Sequence, residues 1–360
     1  MSIEFEIRPH PSPTAPAERA ALLTNPVFGR VFTDHMVTVR YAEGKGWYDA
    51  QVSARAPIPM DPATAVLHYA QEIFEGLKAY QSADGGVILF RPDANARRFR
   101  DSALRMAMAP LPEDVFLASL HHLVGIDRQW VPTDPDGSLY LRPFMFASEA
   151  FLGVKPSAEY LYVVIASPVG SYFAGGVKPV SLWVSQEYAR AVPGGTGAAK
   201  CGGNYAASLA AQAQAIDHGC DQVVFLDAAA HTQVEELGGM NVFFHVGDTL
   251  VTPPLTGSIL PGVTRDSLLT LGRDAGITVV ERPYSFGEWQ ADAASGALRE
   301  AFACGTAAVI TPIGTVRWAG GELTVGDGGT GPLTTQLHDQ LVDIQRGRVP
   351  DPYGWVHRVL

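Results

Sequence analysis

The sequence predicts an α+β protein of two domains whose sheets are largely antiparallel. At 360 residues, the chain is longer than a single hydrophobic core usually grows. Hydrophobic residues make up 47% of the sequence and charged residues 18%, which is typical of a globular protein with a sizeable core. Apolar segments typical of strands outnumber the helical segments that could connect them. This excess of strands excludes a simple parallel βαβ fold.

The first half of the chain is predicted to contain both strands and helices. Within LKAYQSADGGVILF, residues 77–90, two apolar strands flank Asp84-Gly85-Gly86, which is a hairpin signal. Arg91-Pro92-Asp93 predicts a helix start, and amphipathic segments follow over residues 94–108 and 113–130. SLYLRPFMF, 138–146, and EYLYVVIASPVG, 159–170, have the composition of buried strands. The Gly-rich segment 171–180 is the predicted linker between a small domain, 1–170, and a large domain, 181–360.

The second half alternates strands and helices. SLWVSQ, residues 181–186, is the first predicted strand, and a helix is expected near residues 206–217. Further strands are predicted at 222–227, 240–246, 277–283 and 301–313, and further helices at 264–276 and 334–346. The segment 301–313, AFACGTAAVITPI, is interpreted as one strand. Its Cys-Gly-Thr-Ala-Ala portion is also typical of a turn that presents backbone amides to a ligand.

Charge and cysteine content exclude several classes of function. The formal net charge is −11 and no run of basic residues occurs, which argues against nucleic acid and anionic membranes as partners. Cys201, Cys220 and Cys304 are an odd number without paired spacing, so neither a disulfide framework nor a metal site is predicted. No signal-peptide segment and no apolar run of membrane-spanning length is visible. We therefore expect a cytoplasmic protein.

Lys200 is the most informative residue of the sequence. It lies between glycines in GGTGAAKCGGNYAASL, residues 194–209, before an alanine-rich helix, and is the only charged residue between Arg190 and Asp217. Composition by itself favours a solvated lysine in an ordinary loop. A lysine held in an apolar setting instead loses part of its affinity for a proton, which leaves a neutral amine that can attack an aldehyde.

Two further segments each have a structural and a functional interpretation. Glu235 and Glu236 stand between two strands; most such pairs lie on an exposed turn, but an inward carboxylate beside a pyridine nitrogen would keep that nitrogen protonated. Gly262, Val263 and Thr264 begin an amphipathic helix, where free N–H groups and the helix dipole favour an anion such as phosphate. A plain Pro-Gly turn with Thr264 as N-cap explains the same sequence.

Ten segments in a fixed order carry a resemblance to a known family. They are FGRVFTDHM, YAQEIFEGLKAY, FRPDANARRFRDSA, SLYLRPF, FLGVKP, SPVGSYF, KCGGNY, EELGGMN, SILPGVTRDSLL and CGTAAVITPI. From about Asn25 to near the C-terminus, the chain resembles the branched-chain amino acid aminotransferases of the fold type IV group of pyridoxal-phosphate enzymes. The resemblance implies mixed or antiparallel sheets with helices, an active site between two domains, and pyridoxal 5'-phosphate as cofactor. The implied reaction is a reversible ping-pong transfer of the amino group between L-leucine, L-isoleucine or L-valine and 2-oxoglutarate.

The resemblance also implies a role for each residue that contacts the cofactor. Lys200 would carry the cofactor and move the proton between the substrate α-carbon and the cofactor. Tyr205 would hydrogen-bond the phenolate oxygen, and Glu236, rather than Glu235, would face the pyridine nitrogen. The implied phosphate ligands are Arg98, the amides of Val263 and Thr264, and Thr306, whereas Arg97 and Arg100 would be solvated helix charges.

The implied substrate pocket is largely aromatic. Its members would be Phe28, Tyr69, Phe74, Tyr140 and Tyr172, although aromatic residues are more generally plain core. The Thr306–Ala307 backbone would receive the α-carboxylate, and Arg142 would bind the side-chain carboxylate of glutamate. Leu152 and Val154 would come from the neighbouring subunit, so the resemblance implies a homodimer.

The sequence departs from the family pattern at two points. Some relatives carry a Cys-x-x-Cys pair after the Gly-Thr-Ala turn; this chain has Ala308 and Thr311, so thiol-based regulation is not expected there. Gly239 replaces a threonine of some relatives, which predicts a roomier or less polar side pocket.

Three rival functions are compatible with parts of the sequence. The motifs YAQEIFEGLKAY and YLRPF point away from two other fold type IV enzymes, a D-amino acid aminotransferase and an aminodeoxychorismate lyase. A cofactor-free binding protein is disfavoured by the joint presence of Arg98, Lys200, Tyr205 and Glu236.

Overall fold

The computed structural model describes residues 3–170 and 178–360, and it is an α+β protein with two mixed nine-stranded sheets, as predicted. The described residues cluster into two compact units. The first contains residues 3–170, Ala199–Gly202 and Asp343–Leu360, and the second contains residues 178–198 and Gly203–Val342. These units differ from the predicted domains 1–170 and 181–360. The difference arises because the C-terminal segment adds a strand to the first sheet and because the segment around Lys200 packs into the first core. Most of the predicted linker, 171–180, lies outside the described residues.

The first unit is built on one sheet. Its strands are β1 Glu6–Ile7, β2 His35–Ala42, β3 Gly46–Ala54, β4 Glu72–Phe74, β5 Leu77–Gln81, β6 Val87–Phe90, β7 Ser138–Ala147, β8 Glu159–Val169 and the C-terminal strand Val356–Arg358. The order is β1-β3-β2-β8-β7-β5-β6 followed by the C-terminal strand, with β4 beside β7. Only the β1–β3 pair is parallel among the pairs described in this sheet. Its helices are α1 Pro16–Leu23, α2 Val66–Tyr69, α3 Pro92–Arg105 and α4 Glu113–Ile126.

Aromatic residues from α3, α4 and β8 join in the first core. The Phe99 ring lies 5.4 Å from the Phe116 ring and 5.6 Å from the Tyr162 ring, measured between centroids. All three side chains are buried, and the Tyr162 hydroxyl is within 2.8 Å of the Ser119 hydroxyl. Burial raises the pKa of Tyr162 well above its usual value. The polar tip of the tyrosine thus finds a partner inside an otherwise apolar contact.

The second unit contains the other sheet. Its strands are β9 Val180–Ser185, β10 Gln222–Leu226, β11 Val234–Leu237, β12 Asn241–Val246, β13 Thr249–Thr252, β14 Thr278–Glu281, β15 Leu298–Gly305, β16 Val309–Trp318 and β17 Gly321–Thr324. They run in the order β11-β10-β9-β16-β15-β12-β13-β14, with β17 beside β16. The helices of this half of the chain are α5 Gly202–Asp217, α6 Val263–Asp274, α7 Phe286–Ser295 and α8 Pro332–Gln345. In its core, the Phe244 ring packs against Tyr284 and Trp289 at centroid distances of 4.2 and 4.8 Å.

The prediction of a single strand over residues 301–313 is wrong. This segment contains most of β15 and the start of β16, which pair antiparallel with Gly305 opposite Val309. Residues 306–308 form the turn between the two strands, and Val309 has a positive φ of 62°. Small residues allow such a tight reversal inside a continuously apolar run, and an apolar run does not by itself reveal where a strand reverses.

The described residues contain no helix that combines the length and the apolar character needed to cross a membrane. All three cysteines are free and buried.

Replacing Phe99 by alanine should lower the free energy of unfolding of the first unit by about 3–5 kcal/mol, because a fully buried aromatic contact becomes a cavity. The matched control is Leu104→Ala on the same helix, where the side chain is 59% exposed and the expected loss is below about 0.5 kcal/mol. Urea denaturation of both variants measures the difference. Equal losses would show that Phe99 is not part of a tightly packed core.

Candidate active site

Backbone hydrogen bonds fix the segment that carries Lys200 to the first unit. The Phe74 N–H donates to the Lys200 carbonyl at 2.9 Å, and the Lys200 N–H donates to the Ser102 hydroxyl at 3.0 Å. Ala199 and Cys201 are each only 1% exposed, whereas Lys200 is half-buried. The extended segment therefore turns its two apolar neighbours into the core and leaves the lysine on the other side, with Nζ 4.9 Å from the centroid of the Phe74 ring.

Glu72 on β4 binds the end of the same segment. Its carboxylate accepts a short hydrogen bond from the N–H of Gly202, the first residue of α5. A carboxylate at this position satisfies an amide that the helix itself leaves without a partner. Residue 202 must be glycine, because a Cβ there would overlap the Glu72 carboxylate. Burial raises the pKa of Glu72, although the Gly202 amide and the charge of Arg142 act in the opposite direction.

A buried ion pair lies directly after Phe74. Glu75 is fully buried and receives two hydrogen bonds from Arg98, from Nε at 2.7 Å and from Nη2 at 2.8 Å. Asn95, one turn before Arg98 on α3, donates to the same carboxylate at 2.7 Å. Burial raises the pKa of Glu75, but Arg98, Lys200 and Asn95 outweigh it and hold that pKa below its usual value. The guanidinium of Arg98, the predicted phosphate ligand, is thereby held in one orientation.

The first unit contains a largely apolar cavity of about 200 Å³ that brings several predicted substrate residues together. It is lined by Phe28, Gly29, Phe32, Tyr140, Arg142, Ile165, Ala166 and Ser167. The guanidinium of Arg142 lies 4.9 Å from the centroid of Phe74 and 5.3 Å from that of Tyr140. Its Nη2 donates to the Tyr140 hydroxyl at 3.0 Å, whereas its buried Nε has no hydrogen-bond partner among the described residues. A buried donor of this kind is costly unless a ligand satisfies it.

Gly76 and Phe28 set the position of Tyr140 in this cavity. A Cβ on Gly76 would overlap the Tyr140 hydroxyl, so the close approach requires glycine. Phe28 meets the Tyr140 ring edge-on, with centroids 5.0 Å apart. One polar atom of the tyrosine is thus placed beside Arg142, while its ring forms part of an apolar wall.

Tyr69 does not line the cavity that contains Phe28 and Tyr140. Its hydroxyl donates a short hydrogen bond to the Leu152 carbonyl, and its ring stacks on Phe151 at 6.5 Å. Leu152 and Val154 are 66% and 89% exposed, so these apolar side chains lie on the surface of the single chain. Tyr172, the fifth predicted aromatic residue, lies outside the described part of the chain.

In the second unit, Glu236 is the centre of a buried polar network. Its Oε1 lies 2.8 Å from Nη2 of Arg190 and accepts the N–H of Leu260 at 3.0 Å. Its Oε2 accepts from the side-chain amide of Asn241 at 3.3 Å. Glu236 and Arg190 are 2% and 6% exposed, so this carboxylate is fixed away from solvent.

The adjacent Glu235 has a different environment. Neighbouring residues on β11 point to opposite sides of the strand, and Glu235 accepts a short hydrogen bond from the Ser258 hydroxyl. Burial raises the pKa of Glu235, while the bond from Ser258 lowers it. The interpretation that both carboxylates lie on an exposed turn is wrong, since both are buried.

The Asn241 side chain links Glu236 to the beginning of α6. It donates to the Leu260 carbonyl at 3.0 Å, and a Cβ on Gly262 would overlap its oxygen. Helix α6 begins at Val263, and no side chain of the N-cap residue bonds to its first turn. The predicted N-cap role of Thr264 is therefore wrong, because Thr264 lies inside the helix and Gly262 is the N-cap. Uncapped amides at a helix start are suited to an anion.

The turn 306–308, which includes Thr306 and Ala307, follows a close contact with the segment after β11. A Cβ on Gly305 would lie 3.3 Å from the Met240 side chain and 3.6 Å from the Gly239 carbonyl. Gly239 in turn faces Tyr205 on the first turn of α5, since a Cβ there would lie 3.7 Å from the Tyr205 ring. The second unit therefore gathers Tyr205, Glu236, the α6 start and the 306–308 turn around residues 239–241.

Three comparisons identify the family. A model of the family described as amino-transferase class IV matches residues 72–316, which is more than half of the chain. The probable branched-chain-amino-acid aminotransferase of Streptomyces coelicolor is 58% identical, and the alignment covers 98% of each chain.

Solved structures agree with this match. The branched-chain amino acid aminotransferase of Escherichia coli superposes with a TM-score of 0.74 at 29% identity, covering 89% of this chain and 99% of that one. A T.th. branched-chain amino acid aminotransferase complexed with N-(5'-phosphopyridoxyl)-L-glutamate gives a TM-score of 0.73 at 27% identity, covering 89% and 98%.

The chain belongs to the class IV aminotransferases. Its fold is therefore fold type IV, as the sequence predicts. The roles of individual residues in this aminotransferase remain predictions, and the geometry gives each of them a defined environment.

Sequence reasoning missed three charged residues of this aminotransferase. Glu72, Glu75 and Arg190 each contact a predicted site residue or its segment. The two glutamates lie inside the quoted motif YAQEIFEGLKAY, so a search for carboxylates within that motif could have found them. Arg190 has no comparable signal, because only the folded chain places it against Glu236.

Replacing Glu72 by alanine should expose the Gly202 amide, because the carboxylate that accepts from it is lost. A charge-assisted hydrogen bond contributes about 1.5–3 kcal/mol, so hydrogen exchange at Gly202 should accelerate at least about tenfold. Glu72→Gln keeps an oxygen acceptor and should retain most of the protection. Exchange measured by mass spectrometry on a peptide spanning residues 199–205 tests this. An unchanged rate in the alanine variant would rule out the proposed capping role.

Proposed function

We propose that this protein is a pyridoxal-phosphate-dependent branched-chain amino acid transaminase. It transfers the amino group reversibly between L-leucine, L-isoleucine or L-valine and 2-oxoglutarate, giving the branched-chain 2-oxo acids and L-glutamate. The observation that carries the choice of substrates is the apolar cavity with one arginine, Arg142, whose buried Nε has no partner in the described part of the chain. Apolar walls suit an aliphatic side chain, and a guanidinium suits the second carboxylate of glutamate.

The residues of both units fit the cofactor. Glu236, held by Arg190 and Asn241, is a fixed buried carboxylate of the kind that keeps a pyridine nitrogen protonated. The uncapped start of α6 offers the amides of Val263 and Thr264 to the phosphate. Arg98 and Thr306 complete the proposed phosphate ligands, and Tyr205 is assigned to the phenolate oxygen.

Lys200 is assigned two tasks by this proposal. Its Nζ holds the cofactor, and it removes the proton from the substrate α-carbon and returns it during the second half of the transfer. Pyridoxal phosphate, when bound, supplies the aldehyde that takes up the amino group and a ring that withdraws electrons from the reacting carbon. The bonds from Phe74 and to Ser102 fix the backbone of Lys200, so its side chain moves from a constant origin.

Substrate orientation is assigned to two groups of residues. The backbone at Thr306 and Ala307, in the turn between β15 and β16, receives the α-carboxylate. The aliphatic side chain contacts the rings of Phe28, Phe74 and Tyr140, of which Phe28 and Tyr140 line the apolar cavity. Tyr140 also keeps the Arg142 guanidinium in place through their hydrogen bond.

We further propose that the enzyme works as a homodimer in the cytoplasm. The exposed apolar side chains of Leu152 and Val154 would be covered at the dimer interface, where each subunit closes its partner's pocket. Tyr69 is bonded to the Leu152 backbone and would enter the partner's pocket with this segment. Three free cysteines fit a reducing compartment.

A visible absorption spectrum of the purified protein tests the function directly. A band from the bound cofactor should bleach on addition of L-leucine and return with 2-oxoglutarate, since the two substrates drive opposite half-reactions. Lys200→Ala should lack this cycle. Bleaching by D-leucine alone would instead indicate a D-amino acid aminotransferase. Absence of any band after addition of pyridoxal phosphate would refute the proposal.

Replacing Arg142 by alanine should separate the two half-reactions. Loss of a charge-assisted contact of about 1.5–3 kcal/mol should reduce kcat/KM for glutamate by roughly 10- to 150-fold, with leucine affected only a few-fold. The control is Arg97→Ala, which removes an exposed arginine paired with Asp93 on α3 and should alter neither value. Single-turnover kinetics with each amino acid provide the measurement. Equal losses for the two substrates would contradict the role of Arg142.

A further inference from the structure

A second cavity lies in the first unit, and it shares no lining residue with the apolar substrate cavity. Its volume is about 290 Å³, and its walls are the hairpin turn after β5, the loop before β7 and the segment after α8. Its lining residues are Gln81, Ser82, Ala83, Gly85, Thr133, Asp134, Pro135, Arg346 and Arg348. The lining is largely polar and includes side chains of both charges, unlike the apolar cavity around Tyr140.

Arg346 is the unusual residue of this cavity. Its guanidinium lies over the Tyr80 ring at 5.2 Å and is half-buried. It makes no hydrogen bond and no ion pair with any residue in the described part of the chain. A guanidinium carries five N–H donors, so a half-buried one without an acceptor lacks the partners that such groups normally have. Arg348 differs, because it donates to the Pro135 carbonyl at 3.2 Å and lies 3.4 Å from Asp343.

The electrostatic surroundings of Arg346 favour an added anion. Lys78 and Tyr80 alternate with core residues on β5, so they share one face of the strand. Burial lowers the pKa of Lys78 to about 7, and the positive charge of Arg346 acts in the same direction. Burial also lowers the pKa of Arg346, and Arg348 adds to the effect. Three cations therefore repel one another around this cavity, and an anion beside Arg346 would relieve that repulsion.

The same cavity offers one carboxylate. Asp134 lines it, and its Oδ1 accepts the Asp136 N–H at 2.8 Å. Asp134 and Asp136 favour the charged form of Arg346 without forming an ion pair with it. The hydroxyls of Ser82 and Thr133 and the amide of Gln81 supply further hydrogen-bonding groups. A ligand that carries a positive and a negative group on adjacent atoms would satisfy both charges.

We propose that this cavity binds a free α-amino acid, with the carboxylate on Arg346 and the ammonium group near Asp134. The site is separate from the active site and does not depend on the transaminase assignment. The volume suits a single amino acid, and the mixed charge selects a zwitterion over a simple anion. Binding a small polar molecule through one arginine and one exposed carboxylate gives modest affinity, as expected for a metabolite present at high concentration.

Equilibrium dialysis of the holoenzyme with radiolabelled glycine tests the proposal, since glycine carries both charges and no side chain for the substrate cavity. Arg346→Gln should raise the Kd for glycine at least tenfold, and Asp134→Asn should raise it severalfold. Labelled acetate, a carboxylate without an ammonium group, should bind more weakly than glycine and should not weaken in Asp134→Asn. Arg348→Gln is the matched control, because it removes the same charge from the same cavity and should change the glycine Kd less than threefold.

Four results would overturn the proposal. They are the absence of saturable glycine binding, an unchanged Kd in Arg346→Gln, equal effects of Arg346→Gln and Arg348→Gln, and acetate binding as tight as glycine binding. Thermal melting shows whether Arg346→Gln is folded. If it is not, Arg346→Lys keeps the charge while losing the paired donors, and a Kd equal to that of the unaltered protein in this variant would likewise overturn the proposal.

Discussion

The hydrogen bonds that hold residues 200–202 on the first unit are the constraint on which the arrangement around Lys200 depends. They join the Lys200 backbone to β4 and α3, and the Gly202 amide to Glu72. A side chain that must act at a defined atom needs a backbone that does not drift. The chain meets this need with main-chain bonds and a single carboxylate, while Ala199 and Cys201 fill the core on the other side.

Two buried ion pairs provide the remaining rigidity, one in each unit. Glu75 with Arg98 and Glu236 with Arg190 are each almost entirely removed from solvent. Such pairs are weak evidence for stability, because desolvation offsets much of the attraction, but loss of one partner costs about 3–5 kcal/mol. Their common effect is orientation: each carboxylate receives several donors, so neither the charge nor its partner is able to rotate. Both pairs include residues assigned to the cofactor, which suggests why polar groups are kept in these interiors.

The sequence predicted the elements of regular hydrophobic pattern and the motifs of the family. The strands at 138–147 and 159–169, the helix pair after Phe90 and the helix after Lys200 appear within a few residues of their predicted limits. The reversal at 306–308 was missed because an apolar run has the same composition on both sides of a tight turn. The C-terminal strand was missed because it pairs with β6, more than two hundred residues away in the chain.

The close approach of Gly76 and Tyr140 has a consequence for the evolution of the family. Any side chain at position 76 would occupy the space of the tyrosine hydroxyl, so the two positions are not free to vary independently. Homologous sequences that keep the tyrosine should keep the glycine, and those that replace the tyrosine by a smaller residue become free to replace the glycine. The volume released by one substitution would be inherited by the other. Diverging members of the fold thus have an accessible route, in two coupled steps, to a reshaped cavity around Arg142.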